Sequence, residues 1–533
     1  MESEPGISRR ITLGSMVALL AIVILACGLR WWRMGHLSFF LDELWHVELA
    51  MGNGEVHNTF LFDHLYTALP DATSLEKAGS VWAISSQIHN LTHPPLFLIL
   101  LRFWCEVFGT GDIATRSFSA FASVLGVVVF FDLVRRINGT SAACWSAAIM
   151  AVAGPQLQLS QEVRQYTLAV LFCLLAAHSL VIALQSGPTL PRQLLLGGFC
   201  VLAMLTHYFC LPVLLAFGLY AMLRCKPGDH TRIIIVFVCA AVVFGAIWGS
   251  KLLKQSDIIH QNADPYLIDS QPLGFLKLFW RTMQVPVQTL LLVDEKSRPI
   301  TRLGGVLLLL PLFLVRKRPE LLLWVIWLGT FVVFFVALDT SRNTLLLGYT
   351  RYLSLCGPPV YALIATLVNS PAWMRHVLPA LVVLGGLMSY PELFDFEKPE
   401  YREVAHEIDK GMTGKTAVVV VNTPDIPYYS RFTMLALTRY CQTYPYPIAM
   451  VEGPPRDPLK GELDRFDTIW IASHFIIRNP PEFLPGWHGV NSYYFGHAAI
   501  LTRLEKDSSF APAMQPADAR TISPRHLTAP PPQ

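Results

Sequence analysis

Apolar runs of membrane-crossing length constrain this chain more than any motif does. A helix that crosses the hydrocarbon core needs about 20 mostly apolar residues. Such runs fall near 11–29, 117–134, 141–158, 166–184, 192–206, 208–223, 232–250, 302–315, 320–338, 353–369 and 374–389. Composition agrees, since 53% of the 533 residues are hydrophobic and 15% charged, against about a quarter charged in soluble domains. The first run follows Arg9 and Arg10 and ends in Arg30, Trp31, Trp32 and Arg33 with no small-residue cleavage site. It reads as a retained helix, not a signal peptide.

One further run, Pro94–Val107, is short and carries Arg102 and Glu106, which suits a helix lying at the interface better than a span. Treating it as non-spanning, with the N-terminus inside, puts Arg135 and Arg136, Arg192, the Arg224–Arg232 segment, Arg316-Lys317-Arg318 and Arg375 on the cytoplasmic side. That satisfies the positive-inside rule; counting the run as a span would invert every cluster downstream. The expected architecture is therefore an all-α polytopic membrane domain of about eleven transmembrane helices plus interfacial helices. Its parts are a cytoplasmic N-terminus (1–10), a transmembrane domain (11–394) whose first outer loop is 30–116, and an outer domain (395–508). Within the outer domain, KTAVVVVN and DTIWIASHF read as strands and EYREVAHEIDKG as an amphipathic helix ending at Gly411, which gives a small C-terminal α/β domain on the non-cytoplasmic side. The Pro-, Ala- and Ser-rich tail 509–533 is expected to be disordered.

This threading has a chemical consequence, because nearly every unusual polar residue then lands on the outer face. A net charge of +3 says little about partners, no basic block suggests nucleic acid and none is expected, and the ten scattered cysteines read as small core residues. In FFLDELWHVELA, Asp42 and Glu43 sit in an aromatic collar typical of the membrane–water interface. A partly desolvated carboxylate there suits a general base for a hydroxyl or amine nucleophile, although Asp42 also suits a helix N-cap. Glu43-x-x-His46 resembles half of a metal site, with no second half in the spans, so no metal is assigned. In LTHPPLFLIL, His93 stands at a helix start, where it could touch a phosphate or cap the turn. Glu162, Arg164 and Tyr166 emerge together between two spans; an interfacial arginine suits a phosphate or carboxylate, or an internal pair with Glu162. His207 and Tyr208 break a long apolar run, Tyr208 equally well as an amphipathic anchor. Arg351 and Tyr352 sit where a late outer loop re-enters, able to hold a lipid phosphate or to snorkel.

The order of these motifs, Asp-Glu after the first span, then HPPL, QE-x-R-x-Y, THY and RYL, resembles that of the polytopic glycosyltransferases of the C superfamily. Within it the chain is similar to bacterial relatives of protein O-mannosyltransferases and lipid A aminoarabinose transferases, over roughly residues 10–390. The resemblance implies transfer of a sugar from a polyprenyl-phosphate carrier on the non-cytoplasmic face of a bacterial inner membrane, inverting and independent of nucleotide sugars. It implies Asp42 as the catalytic base with Glu43 as its motif partner. It also implies phosphate and sugar contacts by His93, Glu162, Arg164, His207, Arg351 and Tyr352. No cofactor is expected, while unassigned His and Asp residues in 51–92 leave room for a divalent cation. The acceptor is a protein, lipid or glycan. The rival class is a transporter or flippase of a lipid-linked sugar, which would place polar residues or broken helices near the midplane with inverted repeats; neither is visible in the sequence.

Overall fold

The computed structural model describes residues 11–88, 93–261, 274–292, 302–305, 310, 313–367, 373–391, 400–422, 428–442, 445–474, 484, 486–495 and 499–506. It is mostly helical, with one mixed sheet. Five helices among the described residues are long and apolar enough to cross a membrane: Leu13–Trp31, Asp112–Asn138, Tyr166–Ser186, His230–Gln255 and Pro319–Arg342. Thr140–Val152, Leu190–Thr206, Cys210–Arg224, Tyr352–Leu367 and Met374–Met388 are shorter apolar helices. The chain is thus a multi-pass membrane protein. Part of the 302–315 run, the tail 509–533 and much of loop 251–301 lie outside the described residues. Leu13, Val17, Leu20 and Ile24 are exposed on the first helix, as an apolar face turned to lipid requires.

The run expected as one span over 141–158 is two helices, Thr140–Val152 and Gly154–Ser160. Pro155 has no backbone N–H and cannot bond the carbonyl four residues earlier, so Ala151 O is released. Arg30, fully buried, takes up that oxygen at 3.0 Å and Met150 O at 3.3 Å, with Ser123 Oγ on its Nε at 2.9 Å. An arginine read from sequence as an interfacial flank is therefore the partner of a broken helix.

The two ends of the helical domain differ in chemistry. At one end the basic segments meet: Asn138 Nδ2 donates to Glu320 O, Arg318 Nη1 to Leu367 O and Gln185 Nε2 to Arg136 O. At the other end sit the loop 32–111, the turn 161–165, the corner at His207 and the turn before Tyr352. Pro94–Val107 forms the helix Leu96–Phe108, which buries Phe97, Leu98, Leu101 and Cys105 and leaves Val107 and Phe108 exposed.

The C-terminal portion is an α/β unit as expected, with helix Tyr401–Gly411 ending at the foreseen glycine. Strands β1 (His64–Tyr66), β2 (Thr416–Val421), β3 (Ile448–Val451), β4 (Thr468–His474), β5 (Trp487–Phe495) and β6 (Ala499–Lys506) form one sheet in the order β1-β3-β2-β4-β6-β5. β2 runs parallel to β3 and β4, while the outer pairings are antiparallel. The wholly buried β2, apolar throughout after Thr416, is what a central parallel strand covered on both faces requires. The first strand belongs to the loop 32–111 and not to the C-terminal chain, so the sheet is shared between two distant parts of the sequence.

Candidate active site

Helix Leu41–Ala50 carries the Asp-Glu pair, and its start is set locally. Phe40 N donates to Glu43 Oε2 at 3.1 Å, which satisfies a free amide of the first turn. Consecutive helical residues point about 100° apart, so the two carboxylates separate. Glu43 is buried against Arg116, whose Nε and Nη2 donate to Oε1 and Oε2 at 2.8 and 2.9 Å. It also accepts Val163 N at 3.2 Å. Arg116 in turn donates to the carbonyls of Met34, Leu37 and Ser38. Glu43 is therefore a post joining its helix to helix Asp112–Asn138 and to the turn 161–165.

Asp42 faces the open side, with a third of its side chain (32%) exposed, enough for a substrate to reach. Its Oδ2 is paired with Arg164 Nη1 and lies 3.6 Å from Arg351 Nη1. Burial alone would raise this carboxyl, but the charges of Arg164 and Arg351 outweigh it and hold Asp42 below the usual carboxylate range. Arg164 comes from the tight turn between Ser160 and Tyr166, where it also reaches Tyr166 Oη at 3.3 Å. Arg351 lies over the rings of Tyr349 and Tyr352, 5.5 and 5.1 Å from their centroids. Glu162 adds negative charge close to both guanidiniums.

The histidines extend this cluster. His46 Nδ1 donates to Asp42 O at 2.6 Å, and its Nε2 lies 2.9 Å from the side-chain amide of Gln165. Burial, then the charge of Arg164, lowers the imidazole to about 4. Gln165 Oε1 is the atom that faces Nε2, so a neutral ring that donates through Nδ1 accepts at Nε2 only with that amide turned over, its NH2 toward the ring. His207 caps helix Leu190–Thr206 in an extended conformation. Its ring lies 4.8 Å from His93 and 5.4 Å from Tyr166. Burial and then Arg164 lower it to about 3. His207 Nδ1 accepts Phe209 N at 3.0 Å, which leaves the hydrogen on Nε2. Arg164 Nε, Arg351 Nε and His207 Nε2 are buried with no hydrogen-bond partner among the described residues. These open donors lie within the cluster, the arginines beside Asp42 and His207 beside Tyr166, where a buried donor ordinarily has a partner.

The structure thus brings together Asp42, Glu162, Arg164, Tyr166, His93, His207, Arg351 and Tyr352. Tyr208 goes elsewhere: it accepts from Trp248 Nε1 at 2.7 Å and donates to Gln255, on helix His230–Gln261. Extended backbone at His207 sends neighbouring side chains to opposite sides. Sequence reasoning missed Arg116, Gln165 and Asp339. Asp339 accepts Leu346 N, Leu347 N and Thr344 Oγ1 at 2.9, 3.0 and 2.7 Å, and so fixes the loop that delivers Arg351. A carboxylate at the end of an apolar span was the available signal for it. At the start of helix Leu96–Phe108, an open cavity of about 340 Å³ is walled by Pro95, Leu96, Ile99, Leu205, Ile247 and Trp248, with Ser85, Ser86, Ser250 and Lys251 as its polar lining. Among the described residues no group of three or more His, Cys, Asp and Glu converges to hold a metal ion.

Fold and site together define a polytopic membrane protein that carries a cluster of charged and aromatic side chains at one end of its helical domain. Residues 92–248 match the family described as dolichyl-phosphate-mannose-protein mannosyltransferase. The fold is similar to that of ArnT from Cupriavidus metallidurans in the apo state, with a TM-score of 0.52 at 13% identity, over 92% of this chain and 98% of that one. ArnT bound to undecaprenyl phosphate matches over the same shares, with a TM-score of 0.50 at 14% identity. The archaeal oligosaccharyltransferase AglB from Archaeoglobus fulgidus, in complex with an inhibitory peptide and a dolichol-phosphate, has a TM-score of 0.48 at 13% identity over 87% of this chain and 69% of that one. No curated protein sequence matches the chain.

Proposed function

We propose that this protein is a membrane glycosyltransferase that moves a sugar from a polyprenyl-phosphate carrier to an acceptor on the non-cytoplasmic face, with Asp42 as general base. One observation carries the reading: a partly exposed carboxylate is bracketed by two arginines whose Nε–H groups, like His207 Nε2–H, are buried without partners. An undecaprenyl phosphate ligand in a protein of the same fold supports the choice of anion.

The carrier phosphate docks on Arg164 and Arg351, and its chain follows the cavity walled by Pro95, Leu96, Ile99 and Trp248. An arriving phosphate competes for the arginines that hold Asp42, which frees the carboxylate and raises its affinity for a proton. The acceptor's oxygen or nitrogen then attacks the anomeric carbon from the face opposite the phosphate. The new bond to that carbon forms as its bond to the phosphate oxygen breaks. The electron pair leaves with the polyprenyl phosphate, and the acceptor's proton passes to Asp42. Charge growing on the leaving phosphate meets donors already in position, each worth roughly a hundredfold in rate in comparable sites. Glu43 takes no part in proton transfer in this scheme; held by Arg116, it positions the helix.

Reconstituted vesicles carrying a labelled polyprenyl-phosphate sugar test the reaction class. Label appearing on an acceptor, with free polyprenyl phosphate released in step, is the expected result. Label that crosses the bilayer still attached to its lipid would instead identify a flippase.

A further inference from the structure

The C-terminal sheet domain grips the segment that carries the carboxylate. Tyr440 Oη accepts Phe39 N at 2.8 Å and donates to Asp112 Oδ2 at 2.9 Å. Arg439, nearly buried, lies over the Phe39 ring at 4.5 Å and donates to Asp112 Oδ1 at 2.9 Å. Arg402 reaches Gly35 O at 2.9 Å as well as Asp112, and Tyr401 N donates to Ser38 Oγ at 2.9 Å. From the membrane side, Arg116 holds the carbonyls of Met34, Leu37 and Ser38. Residues 34–40 are thus clamped from two directions, and Phe40 is the cap of the helix on which Asp42 stands. The same helix packs Trp45 against Phe432 of the domain, 6.1 Å between centroids.

We propose that the C-terminal domain is a working part of the active site, with Tyr440 and Arg439 as positioning residues that keep Asp42 in register with Arg164 and Arg351. A free-standing accessory module would need only surface contact with the loop. Here a backbone amide three residues before Asp42 has its hydrogen bond supplied from some 400 residues away in the chain, and Asp112, at the head of a spanning helix, ties both partners to the membrane domain. A base displaced by about an ångström loses most of its advantage, which gives a buried clamp of this kind a direct effect on the site. The inference builds on the reading of Asp42 as base, but its test does not depend on turnover.

Full-length protein in detergent is treated with a water-soluble carbodiimide and glycine ethyl ester at mildly acidic pH, and modification of each carboxyl is counted by mass spectrometry. The reagent takes the protonated acid, so a carboxylate held by two arginines is protected. Tyr440→Phe, which removes one oxygen, is expected to raise modification of Asp42 by about threefold or more and leave Asp132, at the opposite end of the bundle, unchanged. Arg439→Gln should do the same, and Arg439→Lys, which keeps the charge, should do so less. Modification of Asp42 within about twofold of the parent in both Tyr440→Phe and Arg439→Gln would overturn the proposal. A parallel rise at Asp132 would overturn it too, since that reports general loosening. Retained turnover in Asp42→Asn would remove the base while leaving this result standing, so the two claims fail separately.

Discussion

At the scale of single residues, charge decides which groups titrate and when. Asp42 sits between Arg164 and Arg351 below the usual carboxylate range, so in the unliganded protein it stays ionised at any pH a cell offers. His46 and His207 are pushed down to about 4 and about 3 by burial, so both rings are uncharged near neutrality. The pH dependence of kcat/KM should therefore show no imidazole limb at mildly acidic to neutral pH; a limb near 6.5 that disappears in His207→Gln would contradict this assignment. The same burial acts on stability. A histidine whose folded value is depressed contributes stability that is fully present above its ordinary value of 6.5 and is lost as pH falls toward the folded value. The melting temperature should fall between about pH 7.5 and about pH 5, and fall less in His207→Asn. Arg351→Lys keeps a charge but loses the fork and the ring contacts with Tyr349 and Tyr352. We expect it to raise the donor KM several-fold and Arg351→Gln to raise it further, as steady-state kinetics would measure.

Between elements, the main device is the Glu43–Arg116 pair, which joins the Leu41 helix to the Asp112 helix with both side chains almost fully buried. Removing one member of such a pair strands the other charge. Glu43→Gln should therefore lower stability by about 3–5 kcal/mol, read from thermal unfolding in detergent, whereas Asp42→Asn should change it far less. The sequence made the Asp-Glu pair conspicuous but could not divide its labour. That division depends on a partner 73 positions away and on the angle between adjacent helical residues. The QE-x-R-x-Y motif was legible as a cluster, but Gln161 proves to bond the carbonyls of Leu29, Arg30 and Trp32 at the end of the first helix. THY was legible as a corner, and there backbone geometry, invisible in the letters, sent His207 into the site and Tyr208 away from it. Most apolar runs became helices because hydrophobic length is a direct physical requirement of a bilayer. The break at Pro155 was also written in the sequence, in a residue that cannot extend a helix without freeing a carbonyl.

Across the whole molecule, the basic segments gather at one end and the cluster around Asp42 at the other, joined there by a sheet that takes one strand from the loop 32–111. That strand was beyond the reach of sequence reasoning, because His64–Tyr66 is three residues long and its partner β3 lies almost 400 positions on. The positive-inside rule predicts that the basic end lies in the cytoplasm and the site on the far face. A membrane-impermeant thiol reagent applied to intact cells should label a Trp82→Cys variant and spare Trp373→Cys, both positions being well exposed (79% and 63%); the opposite pattern would invert this topology. The account stands most directly on Asp42. In vesicles supplied with a labelled polyprenyl-phosphate sugar, Asp42→Asn should transfer label at least about a hundredfold more slowly than the parent protein, while still binding undecaprenyl phosphate. Transfer within about tenfold of the parent, equivalent to ~1.4 kcal/mol of barrier, would show that Asp42 is not the base.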